Sequence, residues 1–266
     1  MLGERHPSAV VAATRGEALA DLPARAWRDP VAWIIALLVF CAYFVLSLFR
    51  LLQLAPSSWD LGIYTEYVKQ LSLLHAPIVD VRGPGFNLLG DHFQIAVAVL
   101  APFFRVFPSP ATLLFFQALF AAVSVLPVVS AGSALLGRSS GRLIGFAYGF
   151  SWGLQQMILF DFHEISLAVP LLAFSLSALV RGRPRAAALW ALPLVFIKED
   201  QGFTVAAIGL LLIVADLFPR WVPGPRRVRG HAALGILLVV WGVAWSMLAI
   251  AVIIPHFNAA HHYYYF

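Results

Sequence analysis

The sequence predicts an all-α, polytopic transmembrane bundle of about seven spans, and three observations carry that expectation. Of 266 residues, 61% are hydrophobic and only 12% are charged, whereas an ordinary soluble domain carries about 25% charged residues. Apolar runs long enough to be spanning helices recur along the whole chain. The basic residues fall in short clusters between those runs, the layout of cytoplasmic loops under the positive-inside rule. The pI near 9.7 therefore speaks of topology, and no nucleic-acid partner is expected. Cys41 is the only cysteine and lies inside the first apolar run, so neither a disulfide framework nor a cysteine metal site is available.

Taken in order, residues 1–30 hold Arg5, Arg15, Arg25 and Arg28 and read as a cytoplasmic N-terminal tail. A transmembrane domain follows over 31–254, and its first span covers 31–49. Residues 55–110 form the first outer loop. Leu61 to Leu74 has apolar positions at helical spacing, which predicts an amphipathic helix at the membrane surface. Phe93 to Phe107 is apolar too, but fifteen helical residues reach only about 22 Å of a ~30 Å hydrocarbon core. It also contains Pro102 and Arg105, and is read as re-entrant or lying along the surface. Six more spans are expected over 111–136, 141–159, 165–180, 185–197, 202–218 and 231–254. Residues 255–266 begin another outer loop, so the chain reads as the N-terminal module of a longer protein.

Charge supports leaving 93–107 out of the count. The loops with Arg138/Arg142, Arg181/Arg183/Arg185 and Arg220/Arg226/Arg227/Arg229 then share the side of the tail, so 13 of the 18 Lys and Arg residues face the cytoplasm. The acids Asp60, Glu66, Asp80, Asp91, Asp161, Glu164, Glu199 and Asp200 fall on the other face. So do Lys198 and His75, His92, His163, His256, His261 and His262. Ionisable groups at membrane depth are costly and mark function, so this face holds the expected site.

Three motifs concentrate the chemistry. In Trp59-Asp60-Leu61-Gly62-Ile63-Tyr64, Asp60 is either a helix N-cap or a carboxylate placed to act as a general base. In Phe160-Asp161-Phe162-His163-Glu164-Ile165, a helical turn would put both acids on one face, beside His163, where they could position a hydroxyl or a divalent cation. In Ile197-Lys198-Glu199-Asp200, the lysine needs a partner, which the adjacent acids offer, or serves as a phosphate ligand. Gly90-Asp91-His92 and Pro255-His256-Phe257-Asn258 are weaker turn-like candidates. No Walker A, GxSxG, HExxH or dinucleotide fingerprint is present, so no nucleotide cofactor is expected.

The order W-D-x-G-x-Y, GDHF, FDFHE and KED resembles a bacterial family of predicted polytopic membrane proteins of unknown function, from about residue 58 to the end. That family in turn is similar to the GT-C glycosyltransferases, which take a sugar from a polyprenyl-phosphate carrier at the outer face of the membrane. The resemblance implies a multi-pass protein of the bacterial inner membrane with its N-terminus in the cytoplasm and a polyprenyl-phosphate sugar as partner. It implies Asp60 as the catalytic acid of the first outer loop and Asp161 or Glu164 as a second acid. Lys198 corresponds to a lysine that meets the carrier phosphate, although Glu-Asp follows it here in place of the Gly-Pro usual in those enzymes. Tyr64, His92, His163 and Asp200 are expected beside the substrate. If a metal takes part, Asp60, Asp161 and Glu164 are its candidate ligands and Mg²⁺ or Mn²⁺ its identity, since oxygen donors suit hard cations. An ion-coupled transporter or a non-catalytic lipid-binding or assembly protein remains open on the same residues.

Overall fold

A computed structural model describes residues 29–55, 58–218 and 231–265, whose regular structure is all helical, with no strand and one isolated antiparallel bridge between Ile78 and Asn87. Most of the expected tail and the loop with Arg220 to Arg229 lie outside the described residues.

Helix α1 (Pro30–Leu52) starts where Asp29 accepts the Val31 N–H at 3.1 Å and Pro30 occupies the first helical position. Arg142 grips the same Asp29 through two nitrogens at 2.9 and 3.0 Å, tying the start of α1 to the first turns of a later helix over Arg138–Gly149. Helix α2 (Asp60–Ser72) buries Leu61, Ile63, Tyr64, Tyr67 and Val68 and leaves Gly62 and Lys69 exposed, as its amphipathic pattern predicts. Asp60 is the first helical residue and makes no cap bond. Ser58 Oγ instead receives the Asp60 N–H at 3.2 Å, so the N-cap reading of Asp60 is replaced by a carboxylate not used for capping.

The apolar stretch after the GDHF motif is a 3-10 turn over Ile95–Leu100 running into the short α3 (Ala101–Val106). Helix α4 (Pro110–Leu136) is capped by Ser109 and is the most buried long helix, packing on α1, on α5 (Arg138–Gly149) and on α7 (Ala168–Val180). The span expected over 141–159 is divided: α5 ends at Gly149, whose carbonyl accepts the Tyr43 hydroxyl at 2.6 Å, and α6 (Trp152–Leu159) starts after an extended Ser151. That bond occupies the carbonyl at the point where the helix stops. A 3-10 turn over Glu164–Leu167 leads into α7, followed by α8 (Pro184–Ala191), a 3-10 turn over Leu192–Phe196, and α9 (Gln201–Leu217). Helix α10 (Ala232–Leu248) continues through a π-helical turn over Ala249–Ile253 into α11 (Ile254–Phe257), where Pro255 removes a backbone donor.

Among the described residues, three helical runs, Pro30–Leu52, Pro110–Leu136 and Ala232–Phe257, are long and apolar enough to cross a membrane. The other apolar helices are shorter: Ile95–Val106, Glu164–Val180, Pro184–Phe196 and Gln201–Leu217. Of the seven spans expected, three coincide with helices of spanning length among the described residues; 165–180, 185–197 and 202–218 fall on shorter apolar helices and 141–159 on the divided α5–α6 pair.

Candidate functional site

The site is built around Glu164, which opens the 3-10 turn before α7 and is fully buried. A buried carboxylate demands compensation, and three groups from three parts of the chain provide it. The Tyr64 hydroxyl on α2 donates to Oε2. His163 Nδ1 lies 2.5 Å from the same oxygen, and Lys198 Nζ lies 3.0 Å from Oε1. Burial alone would raise the Glu164 pKa. The neighbouring His163, Lys198 and Tyr64 outweigh it and bring the carboxyl down to about 2. Burial pulls the Lys198 ammonium down, but Glu164 outweighs that and raises it overall. The Tyr64 phenol is pushed well above its usual value by burial first and then by Glu164. Glu164 is therefore a permanent anion and Lys198 a permanent cation around neutral pH.

His163 Nδ1 faces the Glu164 carboxylate, and its Nε2 lies toward Asp60 Oδ2, 3.9 Å away. That gap is too long for a direct hydrogen bond. A hydroxyl oxygen about 2.8 Å from each atom would fit across it. The Asp60 and His163 side chains are each about a quarter exposed, 27% and 24%, so this end of the row opens outward while Glu164 closes the inner end.

The backbone beneath this row is held by a residue the motifs did not point to. Gln117, fully buried in α4, donates its amide to the Asp161 carbonyl at 2.7 Å and to the Met157 carbonyl at 3.2 Å. Its oxygen accepts the His163 N–H at 2.9 Å. A signal existed, since a lone amide within a long apolar span marks a functional or structural demand. Gln94, whose side-chain oxygen is 2.7 Å from the Tyr64 hydroxyl, was likewise missed.

Asp161 and Glu164 do not share a helical face. Asp161 has φ of 71°, in the left-handed region that costs a non-glycine residue free energy, and the helical turn starts only at Glu164. The Asp161 carboxylate accepts the Ser58 N–H at 3.1 Å and lies 3.7 Å from Arg50, fastening the FDFHE turn to the entry of α2. Lys198 pairs with Glu164 across the fold rather than relying on its own neighbours in sequence. Glu199 turns the other way: it contacts His92 Nδ1 at 2.7 Å and accepts the Phe93 N–H at 3.0 Å and the Tyr263 hydroxyl at 2.9 Å. Burial raises the Glu199 pKa, and His92, with Tyr263, outweighs it to leave it lowered. Asp200 stays exposed beside Gln201. Among the described residues no three His, Cys, Asp or Glu side chains are grouped to hold a metal ion; Asp60 and Glu164 meet through His163, while Asp161 engages Ser58 and Arg50.

Two adjoining polar clusters thus lie at the end of the bundle where α1 stops and α4 begins. One is Asp60–His163–Glu164–Lys198 with Tyr64, and the other is His92–Glu199–Tyr263. Apolar helices of spanning length carrying buried charged side chains at one end define a helical membrane protein with a polar site at its boundary. The chain belongs to the family described as Predicted membrane protein (DUF2079), which it matches over residues 50–264, a stretch that contains both clusters. No curated protein and no solved structure matches it.

Proposed function

We propose that the protein is a membrane glycosyltransferase, or a module of one, working at the outer face of a bacterial inner membrane. It would transfer a sugar from a polyprenyl-phosphate carrier to an acceptor hydroxyl. The observation that supports this most is the row Asp60–His163–Glu164–Lys198, a partly exposed carboxylate and imidazole joined through a buried carboxylate to a lysine. The acceptor hydroxyl sits across the 3.9 Å gap between Asp60 and His163. Its oxygen attacks the anomeric carbon while Asp60 takes the proton. The bond from that carbon to the phosphate oxygen breaks, and the electron pair leaves with the polyprenyl phosphate. Lys198 faces the negative charge of that leaving group, with Glu164 fixing its position.

Ion-coupled transport is less well supported, because α1 carries no ionisable charge except Arg50 at its end and α4 carries none. A conducting row would continue into the bilayer. Asp60→Asn keeps the shape of the side chain and removes the base. Radiolabelled polyprenyl-phosphate-sugar, presented to the protein in membrane vesicles, is expected to be turned over about 10²–10⁴-fold more slowly by this variant. Full transfer by Asp60→Asn would refute the assignment of the base, and absence of transfer by the unaltered protein across sugar donors would refute the enzyme reading.

A further inference from the structure

Helix α7 runs away from Glu164, and at its far end the chain turns into α8 through residues 181–185. A pocket of about 470 Å³ opens at this turn. The turn uses up acceptors and leaves donors open. The carbonyls of Ser177, Ala178 and Leu179, which end α7, accept the N–H groups of Arg181, Arg183 and Gly182 at 3.2, 2.9 and 2.9 Å. That closure uses the positive φ of 65° at Gly182. Helix α8 starts without a side-chain cap, and Pro184 has no N–H to place. Among the described residues the N–H groups of Arg185 and Ala186, both on the pocket wall, meet no acceptor.

The pocket carries charge of one sign. Arg183, Arg185 and His231 line it, and among the described residues no acid does. Asp216, the acid nearest to His231 in the sequence, accepts the Ala232 N–H at 3.1 Å instead. Next to Gly182 of the pocket wall, the half-buried Arg181 donates to neutral oxygens, the Ser177 carbonyl at 3.2 Å and Ser130 Oγ at 2.8 Å. Burial, and then Arg183, pull its pKa down. Neither Arg181 nor Arg185 has an ion-pair partner among the described residues. Like charges held this close are costly, and an anion would remove that cost. A guanidinium beside open amides at a helix start suits a phosphate in particular.

We propose that this pocket binds the phosphate of an anionic phospholipid, phosphatidylglycerol in chemical class, with the Arg185 guanidinium and the Arg185 and Ala186 N–H groups donating to its oxygens. Leu189 argues for a lipid as the source. It stands one helical turn beyond Arg185 on the same face of α8 and is 69% exposed. A headgroup in the pocket lays its acyl chain over that surface, whereas a free phosphate leaves it bare. Trp190, 41% exposed and stacked on Phe174 with centroids 4.6 Å apart, widens the apolar surface. Charge selects the headgroup, because an ethanolamine ammonium would find only cations here and a glycerol headgroup brings no charge of its own. The site lies at the other end of α7 from Glu164 and does not depend on the glycosyl-transfer reading.

The test uses the full chain in phosphatidylcholine vesicles with a trace of phosphatidylglycerol carrying a diazirine on its acyl chain. After irradiation, peptides containing Leu189 are expected to carry about fivefold more label than from a phosphatidylcholine probe of the same design. Arg185→Gln removes one charged donor and is expected to lower the phosphatidylglycerol label about tenfold. Arg138→Gln removes the same charge from an exposed arginine at the start of α5 and should leave the label unchanged. Equal labelling of the parent by the two probes overturns the site, as does unchanged label in an Arg185→Gln variant that melts like the parent. Equal loss in Arg138→Gln shows a general attraction to basic loops and overturns it too. Displacement of the probe by inorganic phosphate as readily as by unlabelled phosphatidylglycerol assigns the pocket to a soluble phosphate and overturns the lipid assignment. If Arg185→Gln fails to fold, the ratio of the two probes on the parent decides.

Discussion

Replacing Glu164 by Ala is expected to destabilise the protein by about 3–5 kcal/mol, because it leaves charge in a buried place without its partner. Lys198 would keep an ammonium whose side chain is only 20% exposed, and the Tyr64 hydroxyl would lose its carboxylate acceptor, leaving the Gln94 side-chain oxygen at 2.7 Å. Glu164→Gln keeps the volume and an acceptor, so its effect should be smaller but should still expose the unpaired lysine. The double variant Glu164→Leu/Lys198→Met removes both charges and should recover most of the loss, since a well-packed apolar pair can replace a buried ion pair at little cost. The pH dependence has a definite sign. The folded pKa of Glu164 is depressed from 4.5 to about 2, so its contribution is present above the unfolded value and is lost as pH falls through the folded one. The stability gap between the parent and Glu164→Gln should therefore close between pH 4.5 and about 2. Denaturation midpoints in detergent micelles measure all of this. A Glu164→Ala variant within about 1 kcal/mol of the parent would show that the carboxylate is not the centre of the cluster.

These expectations rest on pairings that the sequence showed only in part. The long apolar runs of α1, α4 and α10 were legible because spanning hydropathy depends on local composition alone. The amphipathic α2 was legible from its periodicity, with its start displaced by one residue. What could not be read was which charge meets which. Lys198 is followed directly by two acids, yet its ion pair is with Glu164, 34 positions earlier. The reason is local: residues 198–200 form a turn, and Glu199 leaves it toward His92 and the Phe93 N–H. The i, i+3 logic at Asp161 and Glu164 failed for a similar reason, since the positive φ at Asp161 separates the two carboxylates before any helix begins. Gln117 was the exception, an identifiable oddity in a span whose role required the fold to name its partners. The terminal tyrosines join the GDHF and KED motifs through Glu199 and Asp91, contacts over more than sixty residues that no spacing rule predicts.

Gly242→Leu is expected to be as damaging as the loss of Glu164, for a reason of pure geometry. Helices α9 and α10 cross with Gly202 against Gly242 and Gly209 against Gly235, each pair set seven residues apart on its helix and so on one stripe. A Cβ at Gly242 would overlap the Gly202 carbonyl oxygen, and one at Gly209 would stand 2.5 Å from the Gly235 carbonyl oxygen. Backbone atoms cannot rotate away as a side chain can, so the helices must separate. Overpacking usually costs about 1–3 kcal/mol, and a clash with backbone belongs at or above the top of that range. The consequence reaches the site, because the hydroxyl of Ser246, one turn beyond Gly242, donates to the Glu199 carbonyl at 2.6 Å. Moving α10 outward pulls on the turn that sets Lys198 against Glu164 and Glu199 against His92. Gly62→Ala is the counter-case, because its Cβ enters open space and the helix gains up to about 1 kcal/mol. Thermal melting of both variants in micelles should move in opposite directions. A Gly242→Leu midpoint equal to that of the parent would mean that α9 and α10 do not meet at this stripe.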